Sequence, residues 1–457
     1  MSRCLWSPMT WKANLLLAIR RRRPLASCDS PVGPLRAWNN GPSPESRAIR
    51  TGSNDRPTSA MMGTRILIYC PLPEGGIAEH AHYQANALVR AGMEPVLLVG
   101  PGFLPGHKTK LYPVRVHLLP PYAKRAPKLL RASWFALAIL LNELIFIATI
   151  VAGGYRRVVL AATSETLALL WVWPHMLLRL AGVRYAANIH DPQRQRQGGS
   201  ALHHRWSIAA GFLPISIGLI HEDFDTHQPD IPDHVRCVRV PYGCYEAEIG
   251  DGDGDGLRAE LAPVGTARRI FLAFGYIADR KNLDLCIRAI ADVPQAVLLV
   301  AGRVASSQDK SAAWYRALAL KLGCADRVRI DEGFIPEEQV RHYFGAADFI
   351  LLTYKAEFVS QSGVLLLASN WAKPVLASSG QGPLTSTVAR FGLGPTVPPD
   401  ELAELRNAMI ALMERDNGAD GWPAFRRYAS WDRNVAELCD AFERGDATVA
   451  GVTRNFA

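Results

Sequence analysis

Apolar residues in this chain gather in short unbroken runs, and between the runs they recur every three or four positions. The runs lie at 65–70, 95–99, 157–161, 185–189 and 213–217, and again at 271–274, 296–302, 349–354 and 375–378, with a strand-like Val328-Arg-Ile-Asp-Glu332 between 296–302 and 349–354. Runs of that length, bounded by Gly, Pro or polar residues, predict strands buried on both faces, as in parallel sheets. The stretch 79–91 has the helical period and is stopped by Gly92, and 364–368 reads the same way. Strands alternating with helices imply βαβ units, so the fold class is α/β with two doubly wound, Rossmann-like sheets. Ligands of such sheets sit at the carboxyl ends of the strands, close to helix N-termini.

The two series of runs divide the chain. One domain is expected over 64–245 and a second over 269–426, joined by a linker at 246–268 that contains Asp251-Gly-Asp-Gly-Asp-Gly256. That repeat resembles a calcium loop, but its twelfth position is Ala262 and the bidentate glutamate is missing. A flexible acidic linker fits it better. Residues 422–443 read as two short helices with Trp431 and Leu438 as packing anchors, followed by a frayed tail at 446–457. Residues 1–63 lack apolar periodicity apart from Leu15 to Ile19, and Arg20 to Arg23 follow that run where a signal peptide would place its charges first. They are read as a disordered or mis-started extension, with Met61 or Met62 as the alternative start and a transit peptide as the competing reading.

Charge is informative only once it is located. The chain carries a net +9, yet residues 1–60 hold ten basic and three acidic side chains, which leaves 41 basic against 39 acidic in the rest. A near-neutral body argues against nucleic acid as a partner. The eight cysteines contain no CxxC pair and no zinc spacing, which fits reduced thiols in a cytoplasmic protein. Residues 134–152 are long and apolar enough to raise a membrane span, but Asn142 and Glu143 at the centre favour a helix of the first domain. Lys124, Arg125, Lys128 and Arg131 precede it, which leaves open a peripheral contact with a membrane surface on the cytoplasmic face.

Candidate chemistry lies at the strand ends. Gly75-Gly76 opens the first helix without a GxGxxG pattern, so a dinucleotide reading is weak; a ligand pressed on the backbone and a plain tight turn both fit. His190-Asp191 ends a strand, where a histidine serves as hydrogen-bond donor or proton shuttle, or caps the next turn; Arg194 and Arg196 follow. Arg280-Lys281, just past the first strand of the second domain, suits a diphosphate and the charge that develops as it leaves. Ser360-Gln-Ser362-Gly363 precedes an apolar helix whose first amides suit an anion, and Glu357 upstream suits sugar hydroxyls.

An ordered set of these motifs resembles glycosyltransferases of the GT-B fold, in particular the retaining family four (group 1). The set comprises Phe274 to Asp284, Val300-Ala-Gly-Arg303, Gly333-Phe-Ile-Pro336, Ala347-Asp348, Ser362-Gly363 with its apolar helix, Lys373 to Ser378, Gly75-Gly76, His190-Asp191 and Ser430-Trp431-Asp432. The resemblance covers roughly residues 64–445. It implies two Rossmann-like domains facing across a cleft, the second binding a nucleotide-diphosphate sugar, and a terminal helix at 427–445 crossing back over both. It implies sugar transfer to a glycan or glycolipid hydroxyl with retention, with no cofactor or metal beyond the nucleotide sugar. Gly75 and Gly76 would border the donor phosphates and acceptor, His190 the transferred sugar, Lys281 with Arg280 the diphosphate, and the amides around Ser362 and Gly363 the distal phosphate. Two departures stand out. Tyr276 occupies the position where the family commonly has arginine, and Val359 and Leu367 occupy those of its paired glutamates. The second loss motivates an alternative, a catalytically inactive binding or scaffold protein; an epimerase or phosphorylase on the same fold is the third class.

Overall fold

The structure, a computed structural model, describes residues 61–104, 108–120, 128–190, 200–221, 231–247, 249–414 and 420–454. The first domain runs β1 (Arg65–Cys70), α1 (Gly76–Arg90), β2 (Glu94–Val99), β3 (Val114–Val116), α2 (Lys128–Gly153), β4 (Arg157–Leu160), α3 (Ala168–Leu180), β5 (Arg184–Ile189), α4 (Ala201–Phe212), β6 (Ile215–Ile220) and β7 (Arg236–Arg239). Its seven strands are parallel in the order β3-β2-β1-β4-β5-β6-β7. After α5 (Asp255–Leu261), the second domain runs β8 (Arg269–Phe274), α6 (Leu283–Asp292), β9 (Ala296–Gly302), α7 (Ala312–Lys321), β10 (Val328–Glu332), α8 (Glu337–Ala346), β11 (Phe349–Thr353), α9 (Gly363–Ala368), β12 (Val375–Ser378), α10 (Pro383–Phe391), α11 (Leu402–Met413) and α12 (Trp422–Tyr428). These five strands are parallel in the order β10-β9-β8-β11-β12. Apolar clusters cover both faces of each sheet, which is why the strands read as runs and not as alternations.

Each sheet has one place where the chain reverses its direction of travel, between β1 and β4 in the first and between β8 and β11 in the second. Crevices open at the carboxyl ends of such strand pairs. Loop chemistry fixes the second one. Gly302 ends β9 at φ +148°, and a Cβ there would stand 1.9 Å from the Gly275 carbonyl oxygen, so only glycine lets the two strand ends touch.

The terminal helix, α13 (Trp431–Arg454), seats its side chains in the first domain although its predecessor α12 belongs to the second. Trp422 and Phe425 of α12 lie in the second domain's core, whereas Trp431, Val435, Leu438 and Phe442 lie in the first domain's. The crossing is therefore made at Ala429-Ser430. Polar groups register it: the Trp431 indole donates to the Cys244 carbonyl at 2.8 Å and Asn434 to the Pro241 carbonyl at 2.8 Å. Gln84 of α1 donates to Asn434 at 2.9 Å and exchanges bonds with Asn188 of β5. Gly243 has no room for a Cβ because the Trp431 ring lies 2.2 Å from where it would be.

Several expectations need correction. The strands β3 and β7 were invisible because most of their residues are exposed and carry no apolar run. The run at 213–217 starts later, at Ile215, because Leu213 caps α4. The acidic repeat is not a flexible tether. Gly254, at φ +86°, caps α5 and packs so closely on α8 that a Cβ would lie 2.3 Å from the Ala346 amide, while Arg258 donates to Asp348 at 2.8 Å. Met61 lies in the first domain's core, inside the stretch read as extension, and α13 continues to Arg454 where fraying was expected. Asn142 and Glu143 of α2 face inward: Asn142 exchanges two hydrogen bonds with the Leu119 backbone, and Glu143 accepts from Tyr69 at 3.2 Å and lies 3.1 Å from His175 Nε2.

Candidate active site

At the second crevice, β8 turns through Gly275 (φ +89°) into a short 3₁₀ turn, Asp279–Lys281. The turn is pinned on both sides. Asp279 accepts from the Lys310 amide at 3.0 Å and the Tyr315 hydroxyl at 3.1 Å; burial pushes its carboxyl up, but these bonds and the Lys310 ammonium bring it below the usual carboxylate value. Thr353, the last residue of β11, donates to the Lys281 carbonyl at 3.1 Å, and the Lys355 amide donates to the Arg280 carbonyl at 2.9 Å. The Lys281 side chain folds back so that its ammonium donates to the Phe274 carbonyl at 2.5 Å. A Cβ on Gly275 would meet Lys281 Nζ at 3.3 Å and Val364 of α9 at 3.7 Å, so the ammonium and the start of α9 converge on one glycine. Burial, and second the charge of Arg280, lower the Lys281 ammonium to about 7. Arg280 itself is exposed.

The Ser-Gly turn is more committed than its sequence suggested. The Ser362 hydroxyl is buried 3.0 Å from the Tyr354 hydroxyl, and its amide donates to the Gln361 side chain at 3.0 Å. Ser362 therefore shapes the turn, and the helix-first amides of Gly363 and Val364 are those without an intrahelical acceptor. Ser360 is half-buried and Glu357 exposed in the preceding loop, and no contact described here brings Glu357 to Lys281 or Gly363. Val359 and Leu367 occupy their expected places and supply no carboxylate.

At the first crevice, Gly75 (φ +88°) caps α1 and Gly76 is its first residue, three positions earlier than the period implied. His190, just past β5, donates from Nε2 to the Ala161 carbonyl past β4 at 3.0 Å. Around it stand two histidines and a tyrosine that sequence reasoning passed over. His80 of α1 meets His190 edge-on with centroids 4.9 Å apart, His221 stacks on it at 5.1 Å, and Tyr242 lies at 5.8 Å. His80 is buried with neither ring nitrogen hydrogen-bonded among the described residues, and His221 is buried beside the Val240 backbone. Desolvation, and then the neighbouring imidazoles, hold both far below the usual histidine range, so they are neutral at pH 7. Asp191, Arg194 and Arg196 lie outside the described residues.

The two crevices are joined by Tyr245. Its ring lies 3.7 Å from where a Cβ of Gly363 would be, its hydroxyl 4.0 Å from where a Cβ of Gly76 would be, and that hydroxyl donates to Tyr242 at 3.4 Å. A continuous path thus runs from His190 through Tyr242 and Tyr245, between Gly76 and Gly363, to Gly275 and Lys281. Lys108 adds a clasp across the domains: it pairs with Glu79 of α1 at 2.7 Å and with Glu337 of α8 at 3.3 Å. The signal for the tyrosines was the run Pro241-Tyr-Gly-Cys-Tyr245 at the edge of the linker; the signal for His80 was its place one turn after Gly76.

This geometry can be set beside known proteins. A family model described as glycosyl transferases group 1 matches residues 268–415. Those residues are a group 1 glycosyltransferase domain. A curated relative, D-inositol 3-phosphate glycosyltransferase of Nocardiopsis dassonvillei, is 27% identical over 236 residues, 46% of this chain. The chain spans about half the length of that relative, 53%. Among solved structures, sucrose-phosphate synthase of Thermosynechococcus elongatus superposes with a TM-score of 0.55 at 18% identity, covering 86% of this chain and 99% of that one. HepE of Anabaena, in complex with UDP and glucose, superposes with a TM-score of 0.59 at 15% identity, covering 84% and 100%. The glycosyltransferase domain and its partner sheet together have the GT-B fold.

Proposed function

We propose that the protein transfers a glycosyl unit from a nucleotide-diphosphate sugar to an acceptor hydroxyl, with retention and without a metal. One observation carries the reading: the Lys281 ammonium and the start of α9 converge beside Gly275, at the carboxyl end of a parallel sheet and facing the other domain through Tyr245. A diphosphate at that point meets a cation and two helix-first amides, which stabilise the charge that grows as the sugar leaves. Arg280 adds a second cation, in the role a metal would otherwise take. The sugar would extend toward His190. With Val359 and Leu367 apolar, the base nearest the acceptor proton is the departing phosphate oxygen itself, which favours attack from the leaving-group face and hence retention.

UDP is the first nucleotide to try, because Anabaena HepE is solved with UDP and with UDP-glucose. The Nocardiopsis relative's name puts a phosphorylated polyol among the acceptors to try. We place the protein in the cytoplasm, since all six described cysteines are free. The test is a thermal-shift series with UDP, GDP, ADP and their sugars. Ligand at about 100 times its dissociation constant adds about 2.7 kcal/mol of stability. Lys281→Ala should then lower turnover about 10²-fold with the responding donor. Binding without consumption of any donor in the presence of acceptors replaces this reading with the inactive scaffold, and near-normal turnover of Lys281→Ala removes Lys281 from the site. The configuration of the product's anomeric carbon, read by proton NMR, decides retention.

A further inference from the structure

The first domain turns an apolar face to water on the side opposite α1 and α13. On α2, Leu130, Leu137, Leu144 and Val151 are all exposed and spaced seven apart, so they lie along one line of the helix. On α3, which packs between α2 and α4, Leu170, Trp173, Leu177 and Leu180 are 63% to 81% exposed at helical spacing. On α4, Leu202 and Trp206 continue the face, and a groove of about 470 Å³ beside them is lined by Leu202, Arg205, Trp206, Ala209, Ile231 and Pro232. Soluble proteins rarely leave adjacent helices uncovered in this way without a partner. The segment Ser133–Gly153 has a mean hydropathy of 2.4 and is only 33% buried, whereas the core helix of a soluble domain is mostly buried.

Charge says what covers the face. Glu143 is the only acidic residue on α2, and it points inward at Tyr69 and His175; α3 and α4 contain no acidic residue. Cations border the N-terminal ends: Arg131 on α2 and Arg205 on α4. These ends share the side of the sheet on which its strands finish, the side of the cleft. We infer that this face is a docking surface for the headgroup region of an anionic lipid bilayer, with α2, α3 and α4 lying on the membrane and not crossing it. The inward bonds of Asn142 and Glu143 keep α2 on its domain, and the cation rim complements anionic lipid. The basic segment 1–60 offers no such complement, because its charge has the same sign as the rim.

The test is co-sedimentation of the full chain with phosphatidylcholine vesicles, with and without about a third phosphatidylglycerol. The protein should bind the mixed vesicles at least about tenfold more tightly than the neutral ones, and salt should weaken the binding. Leu144→Asn with Trp173→Asn should lower the partition about 100-fold, tenfold for each large apolar side chain removed. Arg131→Gln with Arg205→Gln should abolish the preference for anionic lipid and leave the apolar contribution. The Leu144/Trp173 variant should melt as the parent does, since it alters exposed positions. Absence of binding to either vesicle, unchanged partition of the Leu144/Trp173 variant, or a concentration-dependent dimer that shields Trp173 while vesicles go unbound would overturn the inference. The readout needs no nucleotide sugar, so it stands or falls apart from the transfer reaction.

Discussion

Binding of UDP at pH 8 should draw nearly one proton out of solution. In the free protein Lys281 titrates at about 7, lowered by burial and by Arg280. At pH 8 it is therefore about one-tenth charged, at pH 7 about half, and at pH 6 about nine-tenths. A diphosphate beside the ammonium favours the charged form, outweighing the positive N-terminal end of α9, and returns the pKa toward the ordinary lysine value near 10.4. Uptake by Lys281 itself is then about 0.9 proton at pH 8, about 0.5 at pH 7 and about 0.1 at pH 6. The phosphate's own second ionisation, near pH 6, is complete by pH 8 and contributes little there. Calorimetric titration in two buffers of different ionisation enthalpy reads the number directly as the slope of apparent heat against buffer heat. Lys281→Arg carries a permanent charge, so its slope should fall to near zero at pH 8 while binding persists. A zero slope in the parent, or the same slope in both proteins, would refute the assignment of Lys281 to the phosphate. The stability sign follows from the same shift. Between pH 7 and the usual lysine pKa the unfolded chain binds more protons, so the unliganded protein gains stability as pH rises through that window, and Lys281→Met loses that slope.

Other consequences follow from the same contacts. Gly302→Ala, which forces a Cβ to within 1.9 Å of the Gly275 oxygen at φ +148°, should cost about 3 kcal/mol or more in urea unfolding and abolish UDP binding. Lys108→Met leaves Glu79 and Glu337 without their shared cation and should cost about 1–3 kcal/mol; X-ray scattering should show a larger radius of gyration than the parent has. His80→Phe keeps the ring and removes a group held neutral far below its ordinary value. The parent should lose melting temperature as pH falls below about 6.5, where the unfolded chain takes up protons that buried His80 and His221 refuse, and the variant should lose less.

The sheet architecture was legible because burial on both faces writes a parallel strand as an apolar run, and nine such runs stand in order. What escaped was written in other terms. β3 and β7 are edge strands with little buried surface, and nothing in Val114-Arg-Val116 separates them from a loop. The acidic repeat at 251–256 looked like a tether because glycine and aspartate are the residues of linkers. Here Gly254 is needed for a contact with α8 that only a three-dimensional neighbour explains. The residues of the proposed phosphate end were legible because the backbone there imposes local rules, a glycine at positive φ and a cation a few residues on. Those of the proposed sugar end were not. His80, His221, Tyr242 and Tyr245 come from four separate segments, and each taken alone reads as an ordinary core aromatic.

That sugar end also bears on the missing carboxylates. Val359 and Leu367 leave the start of α9 without an acid, and the exposed Glu357 is not drawn in. The groups that line the path from His190 to Gly363 are imidazoles and phenols, and three of them are moved out of the physiological range by their surroundings. His80 and His221 are held low by desolvation, and Tyr245 is pushed high by desolvation and then by Tyr242. Between pH 6.5 and 9 those three groups do not change charge, while Lys281, at the other end of the path, titrates at about 7. On the proposed reading His80, His221 and Tyr245 hold their charge over that range, and Lys281, where the diphosphate sits, does not. The pH dependence of sugar-conjugate binding should accordingly include the ionisation of Lys281 at about 7, and free UDP should show that ionisation together with its own phosphate step at about pH 6. A second ionisation seen only with the sugar conjugate would point to a carboxylate, and Glu357 is the first to replace by glutamine.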